Sequence, residues 1–134
     1  MPQTLRDRAS SVAHQAYAPY SRLSVGAALR SASGQVHVGC NVENASFSIG
    51  ICAERAAIAA AIAAEGSDFR LAAIAVTAFN HRGEQIPIAP CGACRQALIE
   101  FGAHATVDFR DRDAGWQTLL ASDLLPAGFS FPAD

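Results

Sequence analysis

The sequence predicts an α/β fold in which helices cover both faces of a mixed five-stranded β-sheet. Three observations support this prediction: a pair of short apolar segments separated by turn residues, a longer uninterrupted apolar run, and Ala-rich helical segments between the strands. Strands that are followed by helices favour a sheet with helices packed on its faces. The 134 residues are within the usual size of one domain, so we expect a single domain over residues 1–134.

In the first half of the chain, apolar residues recur at helical spacing over residues 3–17, and Pro19 ends this predicted helix. Strands are predicted over residues 23–29 and 36–42, because two apolar segments flank a gap that contains Ser and Gly. A helix follows over residues 51–64. Its many alanines give it a smooth surface suited to close packing.

In the second half, residues 71–79 form a continuous apolar run, which is typical of a central strand buried on both faces. Another helix is predicted over about residues 91–101, between a proline and a glycine. Two further strands are expected over residues 106–110 and 116–120, and a short helical turn over residues 122–125.

The composition excludes several classes of protein. With 51% hydrophobic and 16% charged residues, the chain is not intrinsically disordered, and its low charge suggests that other copies of the chain cover part of its surface. A net charge of -2 provides no positive field for binding nucleic acid. We find neither a membrane-length apolar run nor a signal peptide, and therefore expect a cytoplasmic protein without structural disulfides.

Cysteines stand at the starts of two predicted helices. Cys52 begins the Ala-rich helix, and Cys91 and Cys94 form a Cys-x-x-Cys pair in the first turn of the next one. Helix N-termini favour thiolates, because unpaired N–H groups and the helix dipole stabilise negative charge. If the two helix starts meet, three thiolates and one open position make a catalytic zinc site.

Charged residues next to these cysteines complete the predicted chemistry. Glu54 would lie beside the open position and take a proton from zinc-bound water, whose pKa zinc lowers to about 7. Arg55 and Arg95 each follow a cysteine closely. They would offset the excess negative charge of three thiolates by hydrogen-bonding to sulfur.

Two other readings of the cysteines are possible. A Cys-x-x-Cys pair can be a redox site, although the strand–helix–strand context expected for one is absent at the start of this chain. Cys40 could instead join the other three cysteines in a closed structural zinc site. Cys40 lies within a predicted strand, however, and we interpret it as a small buried hydrophobic residue.

The order Cys-x-Glu and then Pro-Cys-x-x-Cys resembles the three-cysteine form of the zinc deaminase signature. The wider sequence is similar to the small homotetrameric cytidine deaminases, from about residue 16 to residue 129. The segments that carry this similarity are residues 18–21, 25–29, 39–45, 51–55, 90–96 and 124–126, together with Phe129.

This resemblance implies the three-layer fold of cytidine deaminases and the hydrolytic deamination of cytidine and 2′-deoxycytidine, a reaction of pyrimidine salvage. With one zinc ion per chain, zinc-bound hydroxide would attack C4 of the ring. Glu54 would carry the proton to N3 and then to the leaving amine. The resemblance also implies a homotetramer whose active sites are shared between subunits.

The resemblance further implies which groups hold the nucleoside. The N–H of Ala53 would bind O2 of the ring, and the carbonyl of Ala89 would bind the amino group. Asn41 and Glu43 would hydrogen-bond to the 3′-hydroxyl of the ribose. The residues that would reach a neighbouring subunit's site are Ala45 and Phe47, at the sugar, and Phe129, over the pyrimidine.

The sequence departs from the family pattern at two positions near the nucleoside. Leu23 stands where the family usually has Phe, and Phe47 stands where it usually has Tyr. The first change removes an aromatic face and the second removes a hydroxyl. Neither change affects the predicted metal ligands or Glu54, so the predicted reaction is retained while the sugar specificity is open.

Three functions are alternatives to the deamination of free cytidine. A deaminase of another aminopyrimidine nucleoside is the nearest, but Asn41 and Glu43 favour cytidine. A polynucleotide-editing deaminase is disfavoured, because the chain lacks a basic or aromatic segment for binding a nucleic-acid strand. A structural-zinc interaction module would need Cys40 as a ligand and would have no use for Glu54 beside the ion.

Overall fold

The structure is a computed structural model that describes residues 3–113 and 115–132. The helices and strands in these residues are α1 (Leu5–Ala13), β1 (Ser24–Ser31), β2 (Val36–Cys40), α2 (Ala53–Glu65), β3 (Leu71–Phe79), β4 (Gln85–Ile86), α3 (Gly92–Gly102), β5 (Thr106–Asp111), β6 (Gly115–Leu120) and α4 (Ala121–Leu124), with a 3₁₀ turn at Phe47–Ile49. The strands form one sheet in the order β2-β1-β3-β5-β6, and β4 pairs with β3.

The sheet is mixed, as the sequence predicts. β1 is antiparallel to both β2 and β3, and β3 is parallel to β5, so β2, β3 and β5 run in the same direction. Helix α2 connects β2 to β3, and α3 lies between β3 and β5. Both helices therefore begin near the same edge of the sheet, where the carboxyl ends of parallel strands commonly form ligand sites.

Helices cover both faces of this sheet. Along β1, Ala27 and Leu29 belong to the main core, which also contains buried residues of α2 and α3. Ala28 faces the other way and packs with Ala9 of α1 and Ala75 of β3. This alternation gives three layers, and the predicted fold class is confirmed.

Glycines allow two of the helices to approach the sheet closely. A Cβ atom on Gly39 of β2 would lie 2.4 Å from the backbone nitrogen of Ala57 in α2. A Cβ atom on Gly26 of β1 would lie 2.0 Å from the carbonyl oxygen of Ala9 in α1. Any side chain at these positions would push the helices away, so the glycines fix the position of α2 and of the site at its start.

Two details of the predicted elements are wrong. The sheet has six strands in the described residues instead of five, because β4 is a two-residue strand after a tight turn and too short to form an apolar pattern. The first helix ends at Ala13 instead of residue 17. The chain leaves the helix because Tyr17 pairs with the segment after β2: its N–H donates to Asn41 O at 3.1 Å, and its carbonyl accepts from Glu43 N–H at 2.8 Å.

The helices that the structure describes are all too short or too polar to cross a lipid bilayer.

Candidate active site

The three predicted zinc ligands come together at the starts of α2 and α3. Cys52 and Cys91 are the N-cap residues of these helices, and Cys94 lies buried in the first turn of α3. Their sulfur atoms all lie within 4.8 Å of one another, and Cys52 Sγ is 4.0 Å from Cys91 Sγ. Cys40, on β2, is not part of this group.

This sulfur geometry fits a zinc ion. Tetrahedral zinc with Zn–S bonds of about 2.3 Å places its sulfur ligands about 3.8 Å apart. Cys52 Sγ makes no capping hydrogen bond to the backbone of α2, which leaves it available to a metal. Three protein ligands leave one tetrahedral position open, as in catalytic zinc sites.

The ionisation of the sulfurs shows why the site favours a cation. Burial and the negative charges of Glu54 and Cys52 raise the pKa of the Cys94 thiol. Partial burial acts in the same direction on Cys91, but hydrogen bonds with Cys94 and Cys52 outweigh it and lower the pKa of Cys91. A divalent cation would relieve the repulsion between these groups.

Arg55 and Arg95 have different partners. Arg55 donates from Nη2 to Cys52 Sγ at 3.6 Å, and hydrogen bonds to the sulfurs of Cys52 and Cys94 raise its pKa. Arg95 donates instead to two backbone carbonyls, those of Pro90 at 2.7 Å and Leu124 at 3.0 Å. The expectation that Arg95 hydrogen-bonds to sulfur is therefore wrong. Its bonds hold the start of α3 against the end of α4.

Glu54 lies in the first turn of α2 and is only 4% exposed. Burial raises the pKa of its carboxyl group, against the opposing effects of its own backbone N–H, the Cys94 thiol and the charge on Arg55. A buried carboxyl group with a raised pKa next to a metal site suits a general acid–base group, because the raised pKa makes it a better proton acceptor than an ordinary carboxylate.

Cys52, Cys91 and Glu54 line a cavity of about 540 Å³, and Cys94 lies buried behind them. A cavity of this size is typical of small-molecule sites. Of the residues that the sequence analysis assigned to substrate binding, those lining the cavity are Leu23, Asn41, Glu43, Phe47, Ala53 and Ala89.

Two of these lining residues are held rigidly. Asn41 accepts a hydrogen bond from Val25 N–H at 2.8 Å and donates to Leu23 O at 2.8 Å, so its amide is fixed against β1. Glu43 accepts bonds from the backbone N–H groups of Tyr20 and Ser21. The polar groups at this end of the cavity are thus oriented before any ligand binds.

Ala45 and Phe129 lie outside the set of cavity-lining residues. Ala45 is in the exposed loop before the 3₁₀ turn. Phe129 is 68% exposed, and its backbone N–H and carbonyl both bond to the Gln96 side chain, at 3.0 and 2.8 Å. The α3 helix therefore fixes the backbone of Phe129 while its ring projects from the surface.

Sequence reasoning gave no role to several residues that line the cavity, namely Ser21, Val25, Val42, Ser48, Gly50, Ile51 and Ile88. Ser21 had a usable signal, because it lies in the segment 18–21 that carries part of the family resemblance. Val25, Val42 and Ile51 lie in such segments as well. Ser48, Gly50 and Ile88 had no such signal, since their contribution depends on how the loops fold over the site.

Comparisons with known proteins agree with this geometry. The family model of the cytidine and deoxycytidylate deaminase zinc-binding region matches residues 2–109. A cytidine deaminase from Halalkalibacterium halodurans is 40% identical over 129 residues, which cover 96% of this chain and 93% of the relative. One from Mycobacterium tuberculosis is 41% identical over 128 residues, covering 93% and 86%. The crystal structure of a Burkholderia pseudomallei cytidine deaminase matches with a TM-score of 0.81 and 45% identity, over 93% of this chain and 96% of that one.

Proposed function

This chain belongs to the cytidine and deoxycytidylate deaminase family and catalyses zinc-dependent deamination of cytidine, and we propose two further features of the reaction. The enzyme also accepts 2′-deoxycytidine, and the Glu54 carboxyl group transfers the protons. The observation that carries this proposal is a cluster of three cysteine sulfurs, two of whose residues line one cavity together with the buried Glu54. The reaction replaces the amino group on C4 of the ring with oxygen from water.

The roles of the site residues follow from their positions. Cys52, Cys91 and Cys94 would hold a zinc ion, which would supply a water of lowered pKa. Glu54 takes a proton from the attacking water and delivers it to N3 of the ring. It then takes the proton of the new hydroxyl on C4 and gives it to the amine, which leaves as ammonia. Arg55, which donates to Cys52, reduces the negative charge on the ligand set.

Backbone groups at the helix starts hold the base. Ala53 is the first residue of α2, and N–H groups in a first helical turn have no partner within the helix. Its N–H is therefore suited to O2 of the pyrimidine. Ala89 lines the same cavity just before α3, and its carbonyl accepts a hydrogen bond from the amino group. Glu43 accepts a hydrogen bond from the 3′-hydroxyl of the sugar, and Asn41 also hydrogen-bonds to this group.

The active enzyme in this proposal is a homotetramer in the cytoplasm that takes part in pyrimidine salvage. Exposed apolar side chains around the cavity mouth support the assembly, among them Tyr17, Tyr20, Val42, Phe47, Ile49 and Ile51. Patches of this kind commonly mark protein–protein contacts. Ala45, Phe47 and Phe129 then act at a neighbouring subunit's site.

Replacing Glu54 with Gln tests the proton transfer. Glu54→Gln keeps the shape of the side chain, so we expect normal folding and zinc content. We expect kcat to fall ~10²- to 10⁴-fold or more, because this range is the usual contribution of general acid–base catalysis. Cytidine turnover is followed by absorbance, and zinc by elemental analysis. Glu100→Gln, on the exposed side of α3, is the matched control and should retain full activity. A Glu54→Gln variant with near-normal kcat would contradict the role of Glu54.

A further inference from the structure

The Glu43 carboxylate is bound by three hydrogen-bond donors from one short loop. Its Oε1 accepts from the backbone N–H of Tyr20 at 2.9 Å and from that of Ser21 at 3.1 Å. Its Oε2 accepts from the hydroxyl of Ser21. The carboxylate is therefore anchored through both oxygens, although Glu43 itself lies in a loop outside the helices and strands.

The proton of the Ser21 hydroxyl has a defined direction. Ser21 Oγ accepts a hydrogen bond from Leu23 N–H at 3.0 Å, so its single proton is left for Glu43. Arg22, between these residues, has a φ of 60°, in the left-handed region that residues other than glycine rarely adopt. This unfavourable backbone turn brings the Leu23 N–H back to Ser21, and the loop is held closed by a bond from Arg22 N–H to Ala18 O at 3.0 Å.

These contacts act on both the orientation and the charge of Glu43. A carboxylate bonded through both oxygens cannot rotate freely, and its remaining lone pairs have fixed directions. Hydrogen bonds from the Ser21 hydroxyl, and then from the backbone of Ser21 and Tyr20, lower the pKa of Glu43 despite some desolvation. Glu43 therefore presents acceptors only. Ser21 and Glu43 both line the active-site cavity.

We propose that Ser21 is a positioning residue for sugar recognition, whose hydroxyl fixes the Glu43 carboxylate so that it accepts a hydrogen bond from the 3′-hydroxyl of the nucleoside. This inference rests on the proposed function, in which Glu43 contacts that hydroxyl. It assigns to the loop at residues 18–23 a part in substrate selection. It also gives a reason for the strained backbone at Arg22.

The test compares two substrates, cytidine and 3′-deoxycytidine, in the zinc-loaded enzyme. Ser21→Ala should raise KM for cytidine about tenfold, which is the usual effect of losing a hydrogen bond to a charged group, and should change kcat less than twofold. KM for 3′-deoxycytidine should not change, because that substrate lacks the group that Glu43 recognises. Ser21→Thr restores a hydroxyl and should recover most of the cytidine affinity. Ser11→Ala, at an exposed position on α1, is the matched control.

Glu43→Gln distinguishes a failure of this inference from a failure of the proposed sugar contact. If Glu43→Gln raises KM for cytidine alone and Ser21→Ala does not, the positioning role of Ser21 is overturned while the sugar contact stands. If Glu43→Gln affects both substrates equally or neither, the sugar contact is overturned together with the role of Ser21.

Two further variants separate positioning from a merely structural role. The double variant Ser21→Ala with Glu43→Gln should be no worse than Glu43→Gln alone, because the hydroxyl acts through the carboxylate. An equal rise in KM for both substrates in Ser21→Ala would show that the loop only maintains structure, and would overturn the proposal. If Ser21→Ala does not fold, Ser21→Cys provides the same comparison with a weak donor.

Discussion

The four cysteines of the chain differ in where the fold places them, and we expect only three of them to bind zinc. Cys52, Cys91 and Cys94 lie at two helix starts, whereas Cys40 ends β2, opposite Gly26 of β1. We predict that Cys40→Ala retains the zinc content and activity of the wild type. Elemental analysis and a cytidine assay check this, with Cys94→Ala as the variant that should lose both. Loss of zinc from Cys40→Ala would support a closed four-cysteine site.

The two departures from the family pattern both line the active-site cavity, which Asn41 and Glu43 also line. Leu23 is partly buried and packs against the main core. Phe47 is 77% exposed, and its ring meets that of Tyr20 edge to face, with the two ring centroids 5.6 Å apart. Neither residue belongs to the sulfur cluster, so changes here should alter binding of the nucleoside more than the chemical step.

We therefore predict that Leu23→Phe combined with Phe47→Tyr lowers KM for cytidine, by up to about tenfold for each change, and leaves kcat unchanged. An added aromatic contact and an added hydrogen bond each contribute ~0.5–1.5 kcal/mol. Steady-state kinetics on cytidine and 5′-deoxycytidine measure the effect, which should be larger for the intact sugar if the new hydroxyl reaches its 5′ end. An unchanged or raised KM would mean that the natural residues already complete the site.

At the scale of the elements, a polar cluster fastens the far end of α2 to the β1–β2 hairpin. Glu65, the last residue of α2, accepts from the hydroxyls of Ser31 at 2.7 Å and Ser33 at 2.9 Å, and its other oxygen is 2.6 Å from Nε2 of His37. His37 and then Ser31 lower the pKa of the Glu65 carboxyl. Since α2 carries Cys52 and Glu54 at its start, this cluster anchors the helix that builds the site.

The lowered pKa of Glu65 predicts how the stability from this cluster depends on pH. The stabilisation is fully present above the glutamate's unfolded pKa and is lost as the pH falls through the lowered pKa of the folded state. Wild type should therefore unfold at a higher temperature than Glu65→Gln near neutral pH, and the difference should shrink in acid. Thermal melts of the two proteins across this range measure it. A difference that stays constant with pH would show that the charge of Glu65 contributes nothing.

The elements show which parts of the fold the sequence can predict. β3 begins and ends where its apolar run does, because a strand buried in the centre of a sheet needs apolar residues throughout. The local pattern misplaces the end of α1, because Tyr17 bonds with Asn41 and Glu43, which lie 24 and 26 positions further along the chain. Local pattern contains no information on such pairing. The partners of Arg95 and the bond between Ser21 and Glu43 could not be predicted for the same reason.

The metal ligands and Glu54 could be predicted because their chemistry depends on short spacings at helix starts. A Cys-x-x-Cys pair in one helical turn places both sulfurs on one side, whatever the rest of the fold does. The loops that close the cavity depend on tertiary contacts, so residues such as Ser48 and Ile88 became visible only in the structure.

At the scale of the whole molecule, the surface near the site is unusually apolar for a small chain. Phe47, Ile49 and Phe129 are each well over half exposed, and only 16% of the residues are charged. Covering these side chains with other subunits would remove them from water, which is favourable by roughly 25 cal/mol for each Å² of apolar surface. This surface supports the proposed tetramer, and it makes an exchange between subunits testable.

We predict that two impaired variants restore activity to each other when they are mixed within one oligomer. Glu54→Gln lacks the proton carrier but offers an intact Phe129 to its neighbour, whereas Phe129→Ala has an intact Glu54. If Phe129 acts across the subunit boundary, random mixing of equal amounts brings both intact residues to about a quarter of the sites. Kinetics after co-expression should then exceed the average of the two separate variants. Light scattering should show the same oligomer in all samples.

The control mixture is Glu54→Gln with the double variant Glu54→Gln and Phe129→Ala, in which no complete site can form and no activity should appear. Activity that equals the plain average in the first mixture would mean that Phe129 serves its own chain or none, and would remove the reason for sites shared between subunits.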